Sequence, residues 1–223
     1  MMVERVLEPE VMDTPDEATD YDSMDHSAVN RRFAADFLAQ SIADIGPTLD
    51  VGTGTAQIPI ELCRQSAMIE LVAVDLADEM LKLARINVNR AGFAERIRIE
   101  KVNGRRMFYP DGHFAAVVSN SIIHHIPYPA ECFAEMVRVC AHGGRLFVRD
   151  LHRPDSSAEL GHLVETYAGD ANPHQRRLFA ASLHAALTLD EVRAVVGNLG
   201  FAPETASRTS DRHWTWSASK ATS

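Results

Sequence analysis

Leu49-Asp50-Val51-Gly52-Thr53-Gly54-Thr55-Ala56 is a short apolar run ending in a glycine-spaced turn, and Gln57-Ile58-Pro59-Ile60-Glu61-Leu62 behind it reads as the start of a helix. A glycine without Cβ lets backbone N–H groups approach a ligand closely. Strand-turn-helix geometry brings the helix's unsatisfied amides to the same spot. The stretch is therefore read as a cofactor cradle. Taken alone, Gly-x-Gly also fits an ordinary tight turn, or a dinucleotide, phosphate or nucleoside site.

Working outward, Ile69-Glu70-Leu71-Val72-Ala73-Val74-Asp75 is an almost continuous apolar run closed by an acid, the pattern of a strand covered on both faces of a parallel sheet. Asp75 falls about 20 residues past the glycine turn, where a doubly wound fold presents a carboxylate to a ribose diol. The two features together are far more specific than either alone. A helix over 78–91 stopped by Gly92, a strand at 97–102 ending in Asn103-Gly104, an apolar strand at 114–120, a helix near 130–139 and a strand at 145–150 continue the alternation. Alternating strands and helices imply a parallel sheet with right-handed crossovers.

Upstream, Val29, Phe33, Phe37 and Leu38 fit one face of a helix. The acidic, turn-rich residues before it are either a solvated tail or a flap that orders over a ligand. Tyr21, Met24 and His26 favour the flap. Downstream, residues 151–186 break the rhythm, with helical spacing at Leu160, Leu163, Val164 and Tyr167. Thr188 and Glu191 then form a capping box that opens a helix closed by Gly200. Two strand candidates lie between 203 and 219, and Trp214 and Trp216 on one strand face are expected in the core.

At 223 residues, 46% hydrophobic and 24% charged, the chain suits one globular domain with a sizeable core. A formal charge of -9 argues against a nucleic-acid partner held through phosphates. No stretch approaches a membrane span and the N-terminus lacks a signal-peptide pattern, so a cytoplasmic location is expected. Cys63, Cys132 and Cys140, without Cys-x-x-Cys spacing, read as buried free thiols.

An ordered set of motifs carries a family resemblance. It comprises Leu49 to Ala56, then Val74-Asp75-Leu76-Ala77-Asp78-Glu79-Met80-Leu81, Pro110-Asp111-Gly112-His113-Phe114, Ser119-Asn120-Ser121-Ile122-Ile123-His124-His125-Ile126, and Arg138-Val139 with Gly143-Gly144-Arg145-Leu146. It resembles class I S-adenosylmethionine-dependent methyltransferases, in the broad group similar to the ubiquinone/menaquinone-biosynthesis C-methyltransferases, over roughly residues 40–150. The resemblance implies an α/β, Rossmann-like doubly wound seven-stranded sheet, mostly parallel, with a C-terminal antiparallel hairpin. Its expected parts are an N-terminal flap and helix (1–38), a cofactor-binding core (39–150), a helical substrate-side insertion (151–187) and a C-terminal helix and hairpin (188–223).

The cofactor implied is S-adenosyl-L-methionine, leaving as S-adenosyl-L-homocysteine. Gly52, Thr53 and Gly54 would pass close to its methionine moiety and ribose, with Asp50 as the acid that begins the motif. Asp75 would accept both ribose hydroxyls, Leu76 would pack on the adenine, and Asn103 and Gly104 would meet the adenine edge. Tyr21, Gln57, Asn120 and Ser121 complete the expected contact set. The chain departs from the family pattern at Ala56 for a third glycine, at Ala115 for an aspartate and at Ala77 for a Ser/Thr helix cap. None removes a group the chemistry requires.

Methyl transfer is an in-line displacement, for which proximity and exclusion of water supply much of the acceleration. Where the acceptor needs a base, histidine suits neutral pH. His124 and His125 after the fourth strand, and His152 with Asp150 after the fifth, are the candidates. A metal held by His124, Asp150 and His152 is conceivable, but their spacing does not demand one and none is expected. The sequence after the fourth strand is not the Asn/Asp-Pro-Pro-aromatic pattern of methylases that act on planar amino groups, so a small organic acceptor is preferred, on a monomer or homodimer. Two other readings stand beside this one: an NAD-dependent oxidoreductase, and a non-catalytic S-adenosylmethionine-binding protein.

Overall fold

The computed structural model describes residues 3–8, 13–40 and 46–222. Parts of the expected N-terminal flap, 1–2 and 9–12, and residues 41–45 of the expected core lie outside them. In chain order the elements are α1 (Pro15–Ser23), α2 (Ser27–Leu38), β1 (Thr48–Val51), α3 (Gln57–Gln65), β2 (Leu71–Asp75), α4 (Asp78–Ala91), β3 (Ile97–Lys101) and β4 (Phe114–Asn120). A 3-10 turn at Ile123–His125 is followed by α5 (Pro129–Val139), β5 (Cys140–Leu151), α6 (Ser157–Ala168), α7 (Pro173–Ala185), α8 (Leu189–Asn198), β6 (Ala206–Arg208) and β7 (His213–Ser219). The seven strands run in the order β3-β2-β1-β4-β5-β7-β6. β1 is parallel to β2 and β4, and β2 to β3, whereas β6 and β7 form the antiparallel hairpin. The expected fold class is the observed one.

The chain divides into two compact units, each with its own core. The motif unit comprises Val11–Asn120, Ala130–Val148 and Ser217–Ser223. In it β1 and β2 are buried on both faces except for Asp75 at the tip, which is why their sequences are nearly unbroken apolar runs. On one side Phe33 and Phe37 of α2 pack on Phe147 of β5, with ring centroids 5.1 and 5.8 Å apart. Val29, counted on the same face from spacing, stays exposed. The insertion unit comprises Met1–Glu10, Ser121–Pro129 and Arg149–Trp216, with a core of Leu151, Leu163, Leu183 and Ala186. Trp214 and Trp216 are fully buried, and Phe201 meets Trp216 edge-on at 5.2 Å. All three cysteines are buried and free, as expected.

Several elements differ from the sequence expectation, each for a local reason. β5 begins at Cys140 rather than near 145, because Gly143 takes φ 75 and its N–H donates to Lys220 O while Lys220 N–H donates to Gly144 O. Lys220 Nζ then donates to Val137 O and Cys140 O, satisfying carbonyls at the end of α5 that the helix leaves open. α7 is a full helix where the sequence shows only irregularity; an Asn172–Gln175 capping box and Pro173 in its first turn start it. α1 forms in the same way from a Thr14–Glu17 capping box and Pro15. The expected Thr188–Glu191 box opens α8.

Residues 15–23 of the expected flap form an ordered helix, α1. Ala18 and Tyr21 of α1 pack against Ala77, Met80 and Leu83 at the start of α4. Ala77 provides no side-chain cap there, as its identity implies, but Asp13 Oδ1 accepts from Glu79 N–H at 2.9 Å, so the segment before α1 supplies the cap. Asp22 Oδ1 accepts from Gln57 Nε2 at 3.2 Å and from Asn87 Nδ2 at 2.8 Å, tying α1 to both α3 and α4. Asp13→Ala is expected to lower stability by about 1 kcal/mol, the usual worth of such a cap. An unchanged urea midpoint would show the contact contributes nothing.

Candidate cofactor site

The parallel register sets the geometry. Asp50 lies opposite Ala73 and Val51 opposite Val74, so β1 releases its glycine turn beside the carboxyl end of β2. Gly52 (φ 75) and Gly54 (φ 54) are both left-handed, conformations open to glycine at no steric cost. Ala56 also adopts a left-handed φ of 66 while fully buried, so it fills the third-glycine position at the cost of local strain.

The turn's amides point inward, which corrects the expectation that they face a ligand. Gly52 and Thr53 N–H both donate to Val74 O at 2.9 Å, and Gly54 N–H donates to Asp75 Oδ2 at 2.8 Å. At the head of α3, Ala56 N–H donates to Thr53 O and Pro59 has no N–H, so two of the first four helix donors are absent from any anion site. A pyrophosphate depends on such amides. The donor set therefore suits a dinucleotide poorly and a neutral or cationic ligand better.

Asp75 is held from three directions: Gly54 N–H on Oδ2, and Leu76 N–H at 2.7 Å and Ala77 N–H at 3.0 Å on Oδ1. Burial nevertheless raises its pKa, with these donors opposing. Two lone pairs per oxygen leave one acceptor position open, on Oδ2. Asp50 is the opposite case. It is 1% exposed, its Oδ2 makes no hydrogen bond among the described residues, and burial lifts its pKa to about 7 against a partial offset from the Thr53 hydroxyl. A buried, unsatisfied carboxylate oxygen beside a glycine turn fits a ligand that brings its own cationic donor.

The other expected cofactor residues of this unit border the same strand ends. Tyr21 stands over the turn, since a Cβ added to Gly54 would lie 3.7 Å from Tyr21 Cε1, and its ring is 5.3 Å from that of His26. Gln57 is committed to Asp22. Leu76 is half-buried beside Asp75. Asn103 Oδ1 accepts from Arg105 N–H at 2.9 Å, and Gly104 packs so closely that a Cβ would come within 3.0 Å of Val51 Cγ1. Asn120 ends β4 and is half-buried. Asp22, which fastens α1 over this region, carries no sequence signal of that role beyond its place in a polar run.

In the insertion unit Ser121 takes a left-handed φ of 57, and its N–H donates to Arg149 O. Three of the four catalytic candidates come together here. His124 Nδ1 lies 2.5 Å from Asp150 Oδ1, and the His124 and His125 rings are 4.2 Å apart. Asp150 also accepts from Leu151 N–H on Oδ1 and Ile123 N–H on Oδ2, both at 2.6 Å. Burial works to raise the Asp150 pKa, but His124 and these amides prevail and hold it low, so Nδ1 is the donor of the pair. For His124, burial works downward and the Asp150 and Glu8 carboxylates prevail, raising its pKa. Glu8 Oε1 is 3.6 Å from His124 Nε2 and 3.7 Å from His125 Nδ1. His152 stands apart: burial and Arg208 lower its pKa, with Asp155 and Glu159 opposing, and its Nδ1 has no partner among the described residues.

Comparison with known proteins agrees with this geometry. Residues 49–148 match the family model described as a methyltransferase domain. The chain is 33% identical over 162 residues to demethylmenaquinone methyltransferase of Deinococcus radiodurans, covering 72% of this chain and 64% of that protein. It is 30% identical over 125 residues to the ubiquinone/menaquinone biosynthesis C-methyltransferase UbiE of Geobacter sp. (strain M21), covering 56% and 52%. The chain thus spans about half to two thirds of the length of these relatives. In fold it is similar to a SAM-dependent methyltransferase structure from Aquifex aeolicus, with TM-score 0.67, 18% identity and 92% and 98% of the two chains covered. Among the described residues no helix is long and apolar enough to cross a membrane. Glycine turn, strand-end acids, strand order and family match agree: residues 49–148 match a methyltransferase domain, and the chain is similar to class I S-adenosylmethionine-dependent methyltransferases of the ubiquinone/menaquinone-biosynthesis group.

Proposed function

We propose that this chain transfers the methyl group of S-adenosylmethionine to a small organic acceptor. The observation that carries this reading is the pairing of a glycine turn whose amides are spent inward with a buried Asp50 oxygen that lacks a donor. That pairing favours a ligand with an ammonium group over one with a pyrophosphate. The cofactor, when bound, supplies an electrophilic methyl carbon on a sulfonium.

The chain's own residues bind, orient and screen. Asp50 takes the α-ammonium, and Asp75 accepts one ribose hydroxyl through the open position on Oδ2. The second hydroxyl reaches Asp75 only by displacing Gly54 N–H, which narrows the expected acceptance of both. Leu76, Asn103 and Gly104 border the adenine, and Tyr21, carried on α1 and held through Asp22, covers the turn and keeps water from it. Asn120 and Ser121 follow on at the end of β4. Within the insertion unit His124, its Nδ1–H fixed by Asp150, offers Nε2 as a proton acceptor. Residues 151–187, mostly outside the matched segment, carry acceptor choice in this reading. The names of the curated relatives make reduced quinone precursors the first acceptors to assay, with labelled S-adenosylmethionine. Silence across such a panel despite cofactor binding would favour the non-catalytic alternative, and binding of NAD(H) alone would favour the oxidoreductase.

Two binding measurements test the cofactor assignments. Asp75→Ala is expected to weaken S-adenosylhomocysteine binding at least tenfold, about 1.4 kcal/mol, in calorimetry. Unchanged affinity would remove Asp75 from the site. Asp50, with a folded pKa of about 7 against an ordinary 3.8, favours the protonated form. Its contribution to the stability of the ligand-free protein is full below the ordinary value and is lost as pH rises through about 7. A cationic ligand needs the opposite, charged form, so affinity for S-adenosylhomocysteine should climb as pH rises toward about 7 and then level. Asp50→Asn should flatten that climb and make the ligand-free protein more stable than wild type above neutral pH. An unaltered pH profile in the variant would exclude Asp50 as the ammonium partner.

A further inference from the structure

Glu8, His124 and His125 form a cluster of metal-ligand type that no motif in the sequence announces. One ligand atom from each lies within 4.8 Å of the other two. Glu8 Oε1 is 3.6 Å from His124 Nε2 and 3.7 Å from His125 Nδ1. An ion with bonds of roughly 2.1 Å to nitrogen and oxygen separates its ligand atoms by about 3.4 Å in a tetrahedron. The two spacings from Glu8 are therefore a few tenths of an ångström from a coordinating arrangement, and the two imidazole nitrogens lie within 4.8 Å of each other. The Glu8 side chain is 10% exposed and its Oε1 makes no hydrogen bond among the described residues, so a buried acceptor is aimed at two imidazoles with no hydrogen bond of its own.

The surroundings are built rather than incidental. Arg5 fastens the N-terminal segment that carries Glu8, donating from Nε to Ala185 O at 2.8 Å and from Nη2 to Ile126 O at 3.2 Å, and Val6 N–H donates to His184 O. Ile126 directly follows the two histidines, so one arginine sets the distance between Glu8 and the turn that holds them. Asp150 holds His124 Nδ1 at 2.5 Å, the carboxylate–histidine support that fixes ring orientation and tautomer in metal sites and leaves Nε2 bare. The metal set that the sequence made conceivable, though none was expected, was His124, Asp150 and His152. Here Asp150 stands behind the histidine instead of beside it, and His152 is among other charges.

We propose that Glu8, His124 and His125 bind one divalent transition-metal ion, with Asp150 as the positioning residue. Two imidazoles and one carboxylate suit zinc, iron, cobalt or nickel rather than calcium or magnesium, and three protein ligands leave a coordination position for an oxygen-bearing ligand. Neutral imidazoles with two carboxylates and the Arg5 guanidinium leave the cluster with a net negative charge to meet a cation. The proton and the metal compete for the same His124 Nε2 lone pair, so a loaded site would replace the proton-accepting role of His124 with polarisation of an acceptor oxygen. The inference rests on that role only for its bearing on catalysis, because the binding test does not need turnover.

The test uses the full chain, stripped with chelator and titrated with Zn2+ against a chromophoric competitor, and with Co2+ for its visible absorption. One equivalent is expected, with Co2+ giving a low-coordinate spectrum. Glu8→Gln and His125→Ala should each abolish it at micromolar metal. Asp150→Asn should keep the stoichiometry while weakening affinity by about 10- to 100-fold. His174→Ala, at an exposed histidine on α7, should change nothing. Thermal melts of each variant identify any that fail to fold, and Zn2+ should raise the melting temperature of wild type but not of Glu8→Gln. Absence of binding, or binding indifferent to both Glu8 and His125, would overturn the site and leave Glu8 as an ion-pair partner of a protonated His124. S-adenosylhomocysteine binding in the same samples reports on the methyltransferase reading separately.

Discussion

The carboxylate of Asp75 is the point on which the motif unit turns. It receives the N–H of Gly54 from the loop after β1 and the N–H groups of Leu76 and Ala77 from the start of the loop after β2. Val74 O receives the two preceding amides of the glycine turn. The end of β2 thus consumes three consecutive donors of its neighbour's loop, and Val102 N–H on the other side donates to Asp75 O. Charge-assisted bonds of this kind are about twice as strong as neutral ones. The loops at this edge are therefore set by one half-buried acid before any ligand arrives.

This arrangement explains how much of the site could be read in the sequence. The cofactor region was legible because each part is local: a strand's apolar run, a glycine turn and an acid, with parallel register placing them together. Where the amides point was not legible. The same Gly-x-Gly that permits a ligand to approach also permits the backbone to turn its N–H groups onto β2, and only the three-dimensional pairing decides between them. Ala56 shows the limit from the other side. Its identity argued for close helix-strand packing, while its left-handed φ of 66 depends on neighbours that composition does not report.

The N-terminal elements were legible only in part because their signals are polar. α1 buries just Ala18, so apolar periodicity could not find it, and its local signatures are the Thr14–Glu17 capping box and Pro15 at its start. Its position comes from Asp13 on Glu79 N–H and Asp22 on Gln57 and Asn87. Acidic residues that read as a solvated run thus act as caps and anchors. α7 escaped notice for the same reason, with an Asn172–Gln175 box and few buried residues. In the insertion unit His124, His125 and Asp150 stood out by residue type and by following successive strands. Glu8 did not, because nothing local distinguishes it from the other N-terminal acids, and the seating of its segment by Arg5 brings it to the histidines.

Three aspartates near strand ends, Asp50 and Asp150 buried and Asp75 half-buried, show what donor supply does to a carboxylate. Asp150 has His124 Nδ1 and two amides, and its pKa is held low despite burial. Asp75 has three amides and no cation, and burial still pushes it up. Asp50 has no hydrogen bond on Oδ2 and rises to about 7. Desolvation works upward on all three, so it cannot account for Asp150 being held low while the other two rise; the cationic donor His124 does. An acid satisfied by its own chain gains nothing from a ligand, whereas one left at a raised pKa gains the full charge-assisted bond when a cation arrives. By that reasoning Asp150 serves its histidine and Asp75 serves the loops, whereas Asp50 Oδ2 has no donor among the described residues, which is the observation the proposed cofactor reading builds on.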